Sequence, residues 1–174
     1  MKYIKIILMV LGAIFSLLIF VPTVGGIFYS YTNTNKSNFA TKGDVDFVLN
    51  WIGLGANRIE TVLNSTKSAR SLTGDHLDAY EIKISHVSEI ELQDPHSWSR
   101  GDKINTTYKD GIDFVTSWIE SDKIAWFPDY DILTSDKCYV FSWSILYHGK
   151  NPTSAKMIFV IPSKNLVYYV SAKT

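Results

Sequence analysis

The segment Gly74-Asp75-His76-Leu77-Asp78 contains the residue types that enzymes use to move protons or to hold a metal ion. Imidazole carries a proton near neutral pH, and a carboxylate can orient the imidazole or bind a cation. If the segment enters a strand, His76 and Asp78 share a face, because strand side chains alternate with a period of two. Asp75, His76 and Asp78 are therefore candidate residues of a hydrolase or a metal-dependent enzyme.

A turn explains the same segment without any chemistry, because Gly accepts positive φ angles and Asp bonds to nearby backbone groups. The neighbouring histidines, His86 and His96, fall in separate segments. The sequence has no H-E-x-x-H pattern, P-loop, G-x-S-x-G motif or dinucleotide fingerprint. The sequence thus favours binding over catalysis, and we expect neither a cofactor nor a bound metal.

Cys138 is the only cysteine, so the chain cannot form an intramolecular disulfide or a multi-cysteine metal site. It lies in an apolar, aromatic segment, where a free cysteine behaves as a small buried hydrophobe. The fold must then depend on its hydrophobic core.

Residues 6–28 carry no charge and are long enough for a transmembrane helix, which needs about 20 apolar residues. Lys2 and Lys5 precede this segment and favour a cytoplasmic N-terminus. We therefore predict a single-pass protein of the inner cell membrane whose C-terminal domain lies outside the cytoplasm. The alternative is a signal peptide that is cleaved near Gly26 and releases a secreted domain.

The predicted organisation is a short tail at 1–5, the anchor at 6–28, a polar tether at 29–43 and one domain at 44–174. Apolar periodicity in the domain predicts helices from Asp44, from Ala56 to Arg70 and from Tyr108 to Ser121. Strict alternation predicts a strand in 77–85, with one solvated face, and runs rich in β-branched and aromatic residues predict strands in 138–147, 155–163 and 166–173. The order α-α-β-α-β-β-β belongs to the α+β class, with about three helices packed on a mainly antiparallel sheet.

The C-terminal strands carry more aromatic side chains than one layer of helices would cover. Segment 155–163 is apolar on both faces, so it should be a central strand with both faces covered. The surplus predicts an apolar pocket or a protein interface. The residues expected to line it are Trp118, Trp126, Trp143 and Tyr147, whose alternative role is to fill the core.

Charge is balanced over the whole chain, with 17 basic and 17 acidic residues, and nothing indicates a nucleic-acid partner. Between Asp110 and Asp136, however, Lys123 is the only basic residue. This segment could attract a cation or a basic partner, although solvated surfaces explain most acidic runs. The expected partners are the lipid bilayer, through residues 6–28, and an envelope protein or small apolar ligand. An inhibitor or immunity protein with one tight partner fits the same features.

Overall fold

A computed structural model describes residues 2–71, 73–94 and 97–174, which divide into two units. The first unit contains helix α1, Lys2–Thr32. Its segment Tyr3–Ser30 is long and apolar enough to cross a membrane, a property that signal sequences share. Apolar side chains such as Leu18 and Phe20 are about two-thirds exposed. An apolar surface of this extent is typical of a segment that contacts lipid or another protein.

The second unit, Asn35–Thr174, is built on a seven-stranded antiparallel sheet with the order β1-β2-β3-β7-β6-β5-β4. Its strands are β1 Lys36–Ser37, β2 Ile59–Lys67, β3 His76–Ile84, β4 Ser99–Arg100, β5 Tyr139–His148, β6 Asn151–Ile161 and β7 Leu166–Lys173. Its helices are α2 Lys42–Trp51, α3 Thr106–Ser121 and α4 Tyr130–Leu133, with short 3-10 turns between elements. The α+β class and the three C-terminal strands are confirmed.

Helix α2 covers one face of the sheet. Its N-cap is Thr41, whose backbone N–H and hydroxyl both donate to the Asp44 carboxylate, at 2.7 and 2.6 Å. Asp44, from which the sequence predicts this helix, is instead its third residue, and its carboxylate forms a capping box with Thr41. Val48 and Leu49 are fully buried in the cluster that contains Ile82, Ile158 and Val167.

Helices α3 and α4 cover the opposite face. Ile112 and Val115 of α3 are fully buried with Met157 and Phe159 of β6. Helix α3 can approach the sheet closely because residue 111 is glycine. A Cβ atom there would lie only 2.6 Å from Ile145 Cδ1. Strand β6 is therefore central and buried on both faces, as its apolar pattern predicts.

The prediction of a helix between Ala56 and Arg70 is wrong. A 3-10 turn, Ala56–Arg58, leads directly into β2, which pairs with β3. The segment is rich in β-branched residues, which favour strands. Register shifts at residues 59–61 and 62–64 break the alternation of β2. Its apolar residues are therefore spaced like those of a helix.

The solvated face expected for β3 is also partly covered. Leu77 and Ala79 are fully buried, and Glu81 is only 8% exposed. The Glu81 carboxylate accepts hydrogen bonds from Asn64 Nδ2 at 2.5 Å and from the Tyr168 hydroxyl at 2.7 Å. A polar side chain in a strand pattern can thus mark a hydrogen-bonded buried site rather than a solvated one.

Strand β5 changes face part-way along its length. The alternation predicts one face for Tyr139, Phe141, Trp143, Ile145 and Tyr147. A register shift against β6 between Ser142 and Ser144 divides this set. Tyr139 and Phe141 pack on the α2 side, whereas Ile145 packs on the α3 side. The extra residue of a β-bulge accounts for the change.

Candidate functional site

A surface cleft of about 550 Å³ lies where α3 ends and α4 begins. Its floor is apolar and buried, and consists of Ile119, Ile124 and Phe127. Its rim is charged and exposed, and consists of Glu120, Lys123, Asp129 and Asp131. The cleft can therefore hold an apolar group while presenting three carboxylates and one ammonium to the surrounding solvent.

The floor forms because the chain reverses after α3. Lys123 adopts a left-handed conformation, with φ of 55°, and the Ile124 N–H bonds to the Ile119 carbonyl at 3.1 Å. This reversal, similar to other left-handed helix ends, returns Ile124 beneath α3. Phe127 is held in the core by edge contacts with Phe159 and Tyr168, with ring centroids 6.0 and 5.6 Å apart. The floor thus belongs to the rigid core.

Carboxylates dominate the electrostatics around the cleft. Burial raises the pKa of Tyr130, and the negative charge of Asp113, which also accepts a hydrogen bond from Tyr130, raises it further. Such a surface attracts cations and basic groups. Within the described part of the chain, no three His, Cys, Asp or Glu side chains are grouped to hold a metal ion.

The segment Asp75, His76 and Asp78 lies at the start of β3, on the opposite face of the sheet from the cleft. His76 Nδ1 is 2.7 Å from the Gly74 carbonyl, and its Nε2 is 3.1 Å from the hydroxyl of Ser171 on β7. Each of the three side chains has a different partner, and among the described residues they do not form a group that could hold a metal ion.

Both carboxylates in this segment are held by local contacts. Asp75 accepts a hydrogen bond from Thr73 Oγ1 at 2.8 Å, and Asp78 forms an ion pair with Arg70. His86 is exposed near the end of β3, whereas His96 lies outside the described residues. Local contacts of a turn account for part of this geometry. The features that they leave unexplained are the His76–Ser171 contact and the buried Oδ1 atoms of Asp75 and Asp78, which accept no hydrogen bond.

The four aromatic residues expected to line one pocket lie on both faces of the sheet. Trp118 contacts Phe114 on α3, and Trp126 contacts Phe127, with centroids 6.5 and 6.0 Å apart. The Tyr147 hydroxyl is 3.2 Å from Asp110 Oδ2, also on the α3 side. These three residues lie near the acidic segment but are not among the residues that line the cleft.

Trp143 is on the α2 side, where it stacks on Trp51 with centroids 4.4 Å apart and planes inclined by 13°. The structure therefore does not bring Trp143 together with the other three. Sequence reasoning missed Trp51 as its partner, and it also missed the cleft floor. The signal for the floor was the apolar segment from Ile124 to Phe127 between acidic residues.

Comparisons with known protein families, curated proteins and solved structures found no match to this chain. Fold class by itself carries no function, so the features that bear on function are the geometry of the cleft and the apolar helix α1.

Proposed function

We propose that the protein is anchored in the inner membrane by α1 and that its second unit, outside the cytoplasm, binds an envelope protein. Retention of α1 is supported by its length and by its exposed apolar side chains. Lys2 and Lys5 before the apolar segment support the orientation.

The cleft is the proposed binding site. An apolar side chain of the partner inserts over Ile119, Ile124 and Phe127, and flanking Lys or Arg residues pair with Asp129 and Asp131. Its volume of about 550 Å³ lies in the usual range of binding sites. A basic, amphipathic peptide segment can contact the apolar floor and form ion pairs with the acidic rim. A purely apolar ligand would contact the floor alone.

The experiment is binding of model peptides to the full chain in detergent micelles. A Leu/Lys peptide should bind, and a Leu/Glu peptide of the same length should not. Replacing Asp129 and Asp131 by Asn should weaken binding of the Leu/Lys peptide about tenfold, because each rim charge contributes modestly at the solvent boundary. Added salt should weaken binding of this peptide to the unmodified protein.

The matched control replaces Asp122 and Asp136 by Asn. These exposed residues belong to the same acidic segment but do not line the cleft. An equal loss of affinity in both double variants would indicate a general charge effect and contradict a cleft-specific site. Equal binding of the two peptides would contradict the charge argument.

A second candidate function is hydrolysis at Asp75, His76 and Asp78, favoured by the 3.1 Å contact between His76 Nε2 and Ser171 Oγ. In such a site His76 accepts the hydroxyl proton as Ser171 attacks the substrate. A fluorophosphonate probe should then label Ser171 and lose that labelling in His76→Ala. Ser171 is only 3% exposed, and absence of labelling in the unmodified protein would eliminate this candidate.

A further inference from the structure

Strand β5 has an open outer edge along most of its length. Its inner edge pairs with β6 from Tyr139 to His148. Its outer edge pairs with the two-residue strand β4 only at Tyr139 and Val140. Among the described residues, no other strand pairs with the outer edge of 141–148. Backbone donors and acceptors on this edge therefore remain available for another strand.

Three of the four exposed side chains in residues 141–148 are large and apolar or aromatic. Trp143 is 48% exposed, Leu146 60% and Tyr147 39%. No Lys, Arg, Asp or Glu occurs between Cys138 and Gly149. Uncharged segments with high β propensity are those that pair edge to edge.

The opposite edge of the sheet has features that hinder pairing with another strand. Strand β2 carries Glu60 on its exposed surface, and β1 covers part of its length at Thr66 and Lys67. Charged residues and short covering strands prevent such edges from pairing. The register shift between Ser142 and Ser144 places an extra residue in β5, but that residue is Trp143 rather than a charged one, and the second shift places its extra residue, Thr153, in β6.

We infer that two copies of this chain pair through residues 141–148 of β5, antiparallel about a two-fold axis, to form one continuous sheet. Residues 141–148 carry no Lys, Arg, Asp or Glu, so the same strand of a second copy meets them without repulsion, whereas a charged partner strand would gain no ion pair from them. Antiparallel pairing of identical strands also places residue i of one copy opposite residue j of the other and j opposite i, as a two-fold interface requires. This inference does not depend on the cleft.

The test is the mass of the full chain in detergent micelles, measured by light scattering over a range of concentrations. The unmodified protein should be dimeric. Leu146→Lys should raise the dissociation constant about tenfold or more, because the two-fold axis places the added charges in the interface twice. Leu63→Lys is the matched control, since Leu63 is 47% exposed on β2 at the opposite edge. It should leave the dimer intact.

Crosslinking in membranes checks the geometry. Ser144→Cys, in the middle of the open stretch, should give dimers with a short bismaleimide, whereas Thr61→Cys on β2 should not. Native Cys138 contributes little background, because it is fully buried and burial raises the pKa of its thiol to about 12. A monomeric unmodified protein, a dimer that survives Leu146→Lys, or capture of a different protein's strand at this edge would each overturn the inference.

Discussion

The indole of Trp143 on β5 stacks on the indole of Trp51 in the last turn of α2, with centroids 4.4 Å apart and ring planes inclined by 13°. Trp51 also contacts Phe47 and Tyr169 by ring edges. Helix α2 is thereby attached to the β5 bulge as well as to the centre of the sheet. The stack is a structural contact whose energy can be measured.

We expect Trp51 and Trp143 to be coupled by about 1 kcal/mol, the usual contribution of an aromatic pair beyond its buried area. A double-mutant cycle with Trp51→Ala and Trp143→Ala, followed by urea unfolding, measures this coupling. The control cycle combines Trp51→Ala with Trp118→Ala, because Trp118 lies on the opposite face of the sheet and its effect should be additive. Additivity in the first cycle would show that the stack contributes nothing.

Three glycine substitutions should rank by the atoms that a new Cβ would meet. At Gly101 the Cβ would lie 2.4 Å from the Leu133 carbonyl oxygen and 2.5 Å from that of Ser135. At Gly111 it would meet the side-chain ends of Ile145 and Met157, at 2.6 and 2.9 Å. Backbone carbonyls cannot move aside as side chains can, so Gly101→Ala should be the most destabilising.

The expected loss in unfolding free energy is about 1–3 kcal/mol for Gly111→Ala and more for Gly101→Ala. Gly43→Ala is the control, since only Thr41 Oγ1 lies within 4 Å of its Cβ position, at 3.9 Å, and Ala is the better helix former. It should be neutral or slightly stabilising. Urea unfolding followed by circular dichroism gives the ranking, and a Gly101→Ala protein as stable as Gly43→Ala would contradict it.

Alkaline pH should weaken the fold through Tyr80 and Tyr169, which stack on each other. Burial raises the pKa of both phenols from 10.0 to about 12, and the Asp78 charge adds to the shift. Between pH 10 and about pH 12, the two phenols lose their protons in the unfolded chain but keep them in the folded chain. Stability is therefore intact below pH 10 and falls as the pH rises through about 12.

Each phenol should contribute a slope of at most about 1.4 kcal/mol per pH unit in that range. Unfolding free energies of the unmodified protein, Tyr80→Phe and Tyr169→Phe at several alkaline pH values measure it. Each substitution should reduce the slope, while near-UV absorbance reports tyrosinate formation. Equal slopes in all three proteins would show that these two phenols titrate normally.

The mass of the protein in the membrane fraction shows whether α1 is retained or cleaved. If α1 is the anchor, the mass includes residues 1–28, and protease degrades the second unit only after the envelope is opened. A mass that corresponds to cleavage near Gly26 would make the domain a secreted protein. Its partners would then be diffusible molecules rather than envelope proteins.

The acidic segment and the aromatic surplus were visible in the sequence, but their arrangement was not. Trp143 and Tyr147 share a face in any unbroken strand, yet the register shift between Ser142 and Ser144 separates them. The cleft depends on the reversal at Lys123 and on contacts of Phe127 with two distant strands. A local pattern does not contain such contacts, because they join residues far apart in the chain.

The sequence by itself determined the features that follow from local composition and period. These are the uncharged segment 6–28 of helix α1 and the central position of β6. Only the tertiary structure decided that residues 59–67 form a strand, that Glu81 is buried and that β5 leaves an open edge. These outcomes depend on which strand lies beside which, because pairing and burial between distant segments override the preference of a short segment.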